Sequence, residues 1–147
     1  MANIGQDCVT SVRRQELPDA KPRFIDPPQL FRSPRYTHVV VANGFAFIAG
    51  QTAFDAQGNV VGVGDFRVQA EQTYRNLKVT LDAVGAGPED IVKVTNYVLD
   101  RANLPLLVEA RRAILGDLRP ASTAVVAGLA REELLVEVDA IVALPTA

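Results

Sequence analysis

Chemistry is most legible near the end of the chain, where Leu135-Val136-Glu137-Val138-Asp139-Ala140-Ile141 sets two carboxylates in an otherwise apolar run. Strand periodicity puts Glu137 and Asp139 on one face and Val136, Val138 and Ala140 on the other. A carboxylate among aliphatic side chains is costly unless it is paired, hydrated or used, and desolvation raises its pKa toward the range of a useful general acid or base. Glu137 is therefore the leading candidate for handling water or protons, with an interfacial ion pair as the alternative. Asp139 reads as structural. Tyr36 and His38 repeat the same spacing near the start of the regular pattern. Tyr36 fits a hydrophobic plug with a polar tip, and a lone histidine on a strand reads first as a surface or interface residue. Ser122 and Thr123 can offer hydroxyl or backbone donors to a ligand, but no base lies near them in sequence to make a nucleophile.

Several chemistries are excluded. One cysteine, Cys8, and one histidine cannot form a Cys/His zinc site or an intrachain disulfide, so no metal is expected. Gly58, Gly62 and Gly64 lack both the lysine of a phosphate loop and the spacing of a dinucleotide fingerprint, so no cofactor is expected. With 147 residues, 48% hydrophobic, 22% charged and a net charge of −2, the chain is long enough for one self-sufficient domain. The acidic balance and the absence of tryptophan argue against a nucleic-acid partner. No apolar run approaches the roughly 20 residues of a membrane span, and the first residues lack a secretory pattern; a cytoplasmic location is expected.

Residues 1–35 hold Pro18, Pro22, Pro27, Pro28 and Pro34, more than half of the nine prolines. They predict an extended arm, either loosely ordered or packed through Phe24, Ile25, Leu30 and Phe31. Residues 36–147 predict the domain proper. Thr37–Ala42 and Phe45–Ala53 flank the turn pair Asn43-Gly44 as a hairpin. The near-continuous apolar run through Ala49 predicts burial of the second strand on both faces. Asp65 and Gly85 bracket a helix whose stripe is Ala70, Tyr74, Leu77, Leu81 and Val84. Ile91–Leu99 predicts a strand, Leu104–Leu115 a helix stopped by Gly116, and Pro120–Val126 and Leu134–Leu144 two further strands. The order is β-β-α-β-α-β-β, an α+β domain with both helices on one face of the sheet. The opposite face would be an uncovered apolar patch, which predicts a homo-oligomer.

At this point a family is recognisable. Tyr36-Thr37-His38-Val39-Val40-Val41-Ala42-Asn43-Gly44-Phe45-Ala46-Phe47-Ile48-Ala49-Gly50-Gln51 resembles the opening hairpin of the reactive intermediate deaminase (Rid/YjgF-type, endoribonuclease L-PSP-like) family. Gln69, Gln72, Asn76-Leu77-Lys78, Leu81 and Gly85 resemble its first helix, and Asp90-Ile91-Val92-Lys93-Val94-Thr95 its third strand. Pro120-Ala121-Ser122-Thr123 and Leu135–Ile141 resemble its two C-terminal strands. The resemblance runs from about Pro34 to Leu144, roughly three quarters of the chain. It implies a chorismate-mutase-like homotrimer with inward-facing sheets and small-molecule clefts between subunits. It also implies hydrolysis of imines or enamines to a carbonyl product and ammonia.

Carried over residue by residue, the pocket tyrosine matches Tyr36 and the water-positioning glutamate matches Glu137. Gly50 is the glycine after strand two, preceded by Ala49 where serine is usual. The polar residue of the second helix falls on Val108. The carboxylate-binding arginine falls on Ala121, or on Ser122 with a shift of one. Arg119 points to the same face as Ala121 but about 7 Å along the strand. Arg75, Arg111 and Arg112 read as solvated or paired, with a compensating role in an intersubunit cleft as the alternative. This resembles an arginine-lacking branch of the family, so ordinary 2-imino-acid deamination is not implied. The expected function is related chemistry on an imine, enamine or similar carbonyl-type compound. The alternative is a non-catalytic trimer that binds a metabolite or docks a partner.

Overall fold

Asn43 and Gly44 both take left-handed backbone angles, with φ of 53° and 79°. That is a tight turn whose twist matches the strands it joins. It closes a hairpin between β2 (Val39–Ala42) and β3 (Phe45–Gln51), paired from Ala42↔Phe45 to Val39↔Ile48. The computed structural model describes residues 21–145. Cys8 and the first part of the proline-rich arm lie outside the described residues.

Helix α1 (Phe66–Asp82) begins where the Asp65 carboxylate accepts a hydrogen bond from the Val68 backbone N–H at 3.1 Å. The side chain thereby satisfies an amide that the helix leaves unpaired. Just beyond its end Gly85 turns left-handed at φ 68°, a backbone state that costs a residue with a Cβ. The stripe Ala70, Tyr74, Leu77 and Leu81 is buried to 1% exposure or less. Each of its larger apolar side chains contributes roughly 1.5–3 kcal/mol by leaving water. After β4 (Ile91–Val98), helix α2 (Leu104–Leu115) packs on α1 and leads to β5 (Ala121–Val126) and β6 (Val136–Ala143).

With β1 (Arg23–Ile25) the strand order is β1-β2-β3-β6-β4-β5. Only β4 and β5 run parallel, as a strand-helix-strand crossover requires. This is the α+β fold expected, with one strand added. The sequence predicts no strand before Thr37, yet Arg23, Phe24 and Ile25 pair with Val41, Val40 and Val39. Three residues between prolines carry no periodic signal; their strand character comes from the edge of β2.

Helix α1 covers β3 and β6, and the helix-facing side chains of β6 (Val136, Val138, Ala140, Val142) are buried. No element among the described residues covers the opposite face. There the prediction that β3 is buried on both sides fails. Ala46 and Ile48 are buried, but Phe45 and Phe47 are 41% and 46% exposed, and Phe24 on β1 is 69% exposed. The apolar run of β3 reflects two faces of different fate, one packed by α1 and one open.

Candidate active site

Glu137 stands on the open face of β6, and the chain makes room for it. The β3–β6 register is regular to Ile48↔Ala140 and then jumps to Gln51↔Val138, leaving one extra residue in β3 at Ala49-Gly50. A bulge of this kind bends a strand and re-aims its neighbours. A Cβ on Gly50 would overlap Oε1 of Glu137, so the carboxylate occupies the space that a side chain would fill. Glu137 is half-buried. Burial, reinforced by the charge of Asp139, raises its pKa above the ordinary glutamate value. Asp139 is held by the Tyr97 hydroxyl, which donates to Oδ2 at 3.1 Å.

A cleft of about 510 Å³ opens beside this carboxylate, and Tyr36, Ala49, Gly50 and Glu137 all line it. The Tyr36 ring meets His38 edge-on at 5.5 Å. Burial raises the Tyr36 pKa, and the negative charges of Glu137 and Asp26 raise it further. Its hydroxyl therefore keeps its proton and acts as a donor.

Three buried side chains fix the walls. His38 lies 2.8 Å from the Phe31 carbonyl through Nε2 and 3.2 Å from the Gln51 amide through Nδ1. A carbonyl only accepts, so Nε2–H donates to Phe31 and Nδ1 accepts from Gln51. His38 thereby ties the segment before β2 to β3, a structural post. Asn76 on α1 donates through Nδ2 to the carbonyls of Thr52 at 2.8 Å and Phe54 at 2.9 Å. Gln69, also on α1, donates to Glu133 O at 2.7 Å and Gly62 O at 3.2 Å, and accepts from Leu135 N–H at 2.9 Å. Both resemble the family's first-helix signature; the structure shows them fixing loops.

The other candidates lie elsewhere in the chain. β5 is two strands from β6, roughly 10 Å across the sheet. Ala121, Ser122 and Thr123 are exposed there. Ser122 Oγ accepts from Asn96 Nδ2 at 3.3 Å, and Thr123 Oγ1 accepts from Lys93 Nζ at 2.9 Å. Arg119 is exposed, and Val108 is 43% exposed on α2. None of these five lines the cleft with Glu137. Arg75 pairs with Glu71 at 3.0 Å and Arg112 with Asp117 at 3.3 Å, both on the surface. Sequence reasoning passed over Arg35, Phe54 and Arg131 as site residues, although all three line the cleft. They sit in irregular segments where no periodicity marks a face.

A single mixed sheet with two helices on one side and a carboxylate-bearing cleft at a bulge defines an α+β domain of one sheet and one helical layer. A family model described as endoribonuclease L-PSP matches residues 30–144, and the chain belongs to this family, the Rid/YjgF proteins. A RutC family protein of Synechocystis is 36% identical over 117 residues, covering 76% of this chain and 87% of the relative. A 2-iminobutanoate/2-iminopropanoate deaminase of the mite Dermatophagoides farinae is 24% identical over 107 residues, covering 73% and 84%. The crystal structure of RidA from an Antarctic Psychrobacter superimposes with a TM-score of 0.76 at 26% identity, covering 83% of this chain and 99% of that one.

Proposed function

We propose that this chain hydrolyses small imines or enamines, releasing ammonia and a carbonyl product, in clefts completed when three copies assemble. The observation that carries the reading is the half-buried Glu137, of raised pKa, seated against Gly50 in the cleft beside Tyr36. In its ionised form Glu137 accepts a proton from water as the oxygen adds to the C=N carbon and passes it to nitrogen, giving a carbinolamine. It then takes the carbinolamine hydroxyl proton and passes that to the amine as the C–N bond breaks, leaving the carbonyl product and ammonia. Tyr36 donates a hydrogen bond to the polar end of the substrate. The relation to a 2-iminobutanoate/2-iminopropanoate deaminase supports this chemistry. The exposed Phe24, Phe45 and Phe47 support assembly through the open face, and the count of three comes from the family.

Incubation of the purified chain with a panel of freshly generated imines and enamines, 2-imino acids among them, tests the reading. Release of a carbonyl product and ammonia above buffer from at least one of them, lost in Glu137→Gln, is the expected result; no turnover of any member overturns it. The Ala121-Ser122 pair, where the family resemblance places an arginine, favours a second reading of binding without turnover. A ligand that raises the melting temperature and emerges unchanged would mark that case.

A further inference from the structure

We propose that Arg131 is the carboxylate anchor of this cleft, and that the cleft selects small organic acids carrying an aromatic or branched apolar group. The inference rests on the imine-hydrolysis reading only for the identity of the reacting group, and concerns how the rest of the ligand is held. The Arg131 guanidinium lies over the Phe54 ring, with Cζ 5.3 Å from its centroid. Nη1 donates to Gly58 O at 3.2 Å and Nη2 to Glu133 Oε1 at 3.1 Å. A guanidinium has five N–H donors, so the fork remains partly free while its plane is already set. The side chain is 44% exposed, within reach of a ligand.

Both supports of this arrangement are themselves fixed. Gln69, fully buried, brackets the Arg131 loop through Glu133 O and Leu135 N–H. Phe54 is held through its carbonyl by Asn76, and its ring meets Phe31 edge-on at 6.1 Å. The cation therefore costs little to order when an anion arrives. Of the neighbouring charges, Glu133 is exposed and already on Arg131, and such pairs are weak enough for a ligand carboxylate to share the fork. Glu137 also lines the cleft, and its negative charge favours seating the ligand's carboxylate at Arg131 with the reacting group toward Glu137. Arg35 lines the same cleft and forms no ion pair among the described residues, adding a second positive charge. Phe31, Phe54 and the buried Leu134 give the wall an apolar surface that a carboxylate alone would leave uncovered.

Calorimetric titration of the full chain with phenylpyruvate, pyruvate and the neutral methyl ester of phenylpyruvate separates the contributions. Phenylpyruvate is expected to bind at least about tenfold more tightly than either of the other two, since one lacks the ring and the other the charge. Arg131→Gln weakens phenylpyruvate by about ten- to hundredfold and leaves the ester unchanged; Arg131→Lys, which keeps charge but not the fork, falls between. Arg35→Gln costs less than Arg131→Gln. Equal affinity for acid and ester, no binding of phenylpyruvate, or an unaffected Arg131→Gln variant overturns the proposal, and the acid-ester comparison decides it even if a variant misfolds. Turnover is scored separately. Imine hydrolysis indifferent to Arg131 sinks this inference alone, whereas Arg131-dependent binding without turnover of any imine sinks the proposed reaction alone.

Discussion

The middle of the sheet, at the β3–β6 bulge, and its β5 edge differ in how their side chains are held. Around the β3–β6 bulge, His38, Gln69 and Asn76 reach from the packed interior to backbone groups of three separate loops. At the β5 edge the exposed Ala121, Ser122 and Thr123 are small, and their polar contacts are the Lys93 and Asn96 side chains of the adjoining strand. A site that must hold a carboxylate, an aromatic wall and a cation in fixed relation needs the first kind of surface. The bulge offers that surface, whereas the sequence resemblance distributes site residues over both regions.

The largest effect expected is that of Glu137→Gln, which removes the base and lowers turnover by about 10²–10⁴-fold. Stability is expected to change little. Gly50→Ala should come next. Gly50 is not among the left-handed glycines, so the added methyl strains no backbone; it displaces the flexible end of Glu137. Turnover should fall at least about tenfold while the unfolding free energy in urea holds to within about 1 kcal/mol; loss of both would mean that Gly50 is a packing residue. Gln69→Leu leaves buried backbone groups of two loops unpaired and should cost about 2–4 kcal/mol in denaturant unfolding. A neutral outcome would erase the contrast between the bulge and the β5 edge.

The pH behaviour sharpens the same contrast. Because burial raises the Glu137 pKa, the acid limb of kcat/KM should lie above the ordinary glutamate range, and Asp139→Asn should move it down by removing the second cause. Stability carries the complementary sign. With the folded pKa above the unfolded value, Glu137 favours the fold at low pH, and that contribution is lost as pH rises through the folded pKa. The Glu137→Gln variant should therefore gain on the parent chain as pH rises over that window, read from melting curves. The smallest effect belongs to Ser122→Ala, within about 0.5 kcal/mol of the parent chain. A large loss of turnover there would bring the β5 edge into the site through another copy.

Much of the architecture is written in local signals. Asn43-Gly44 demanded a left-handed turn, Asp65 supplied a cap, and the alternation in Val136–Ala140 separated the packed face from the open one. β1 was invisible because Arg23–Ile25 becomes a strand only through β2. The site was legible where a residue contradicted its surroundings, as Glu137 does among valines. It was illegible at Arg131, whose meaning depends on Phe54, a residue of a distant loop that periodicity does not reach.

Strand β6 follows every other described strand in the chain, yet it lies between β3 and β4. Without β6 the hairpin half of the sheet and the crossover half would face each other with open edges, each a row of unpaired amides and carbonyls. The strand that joins them is also the one that carries Glu137 to the bulge. A chain lacking β6 would leave both edges unpaired and would have no Glu137 to set against Gly50.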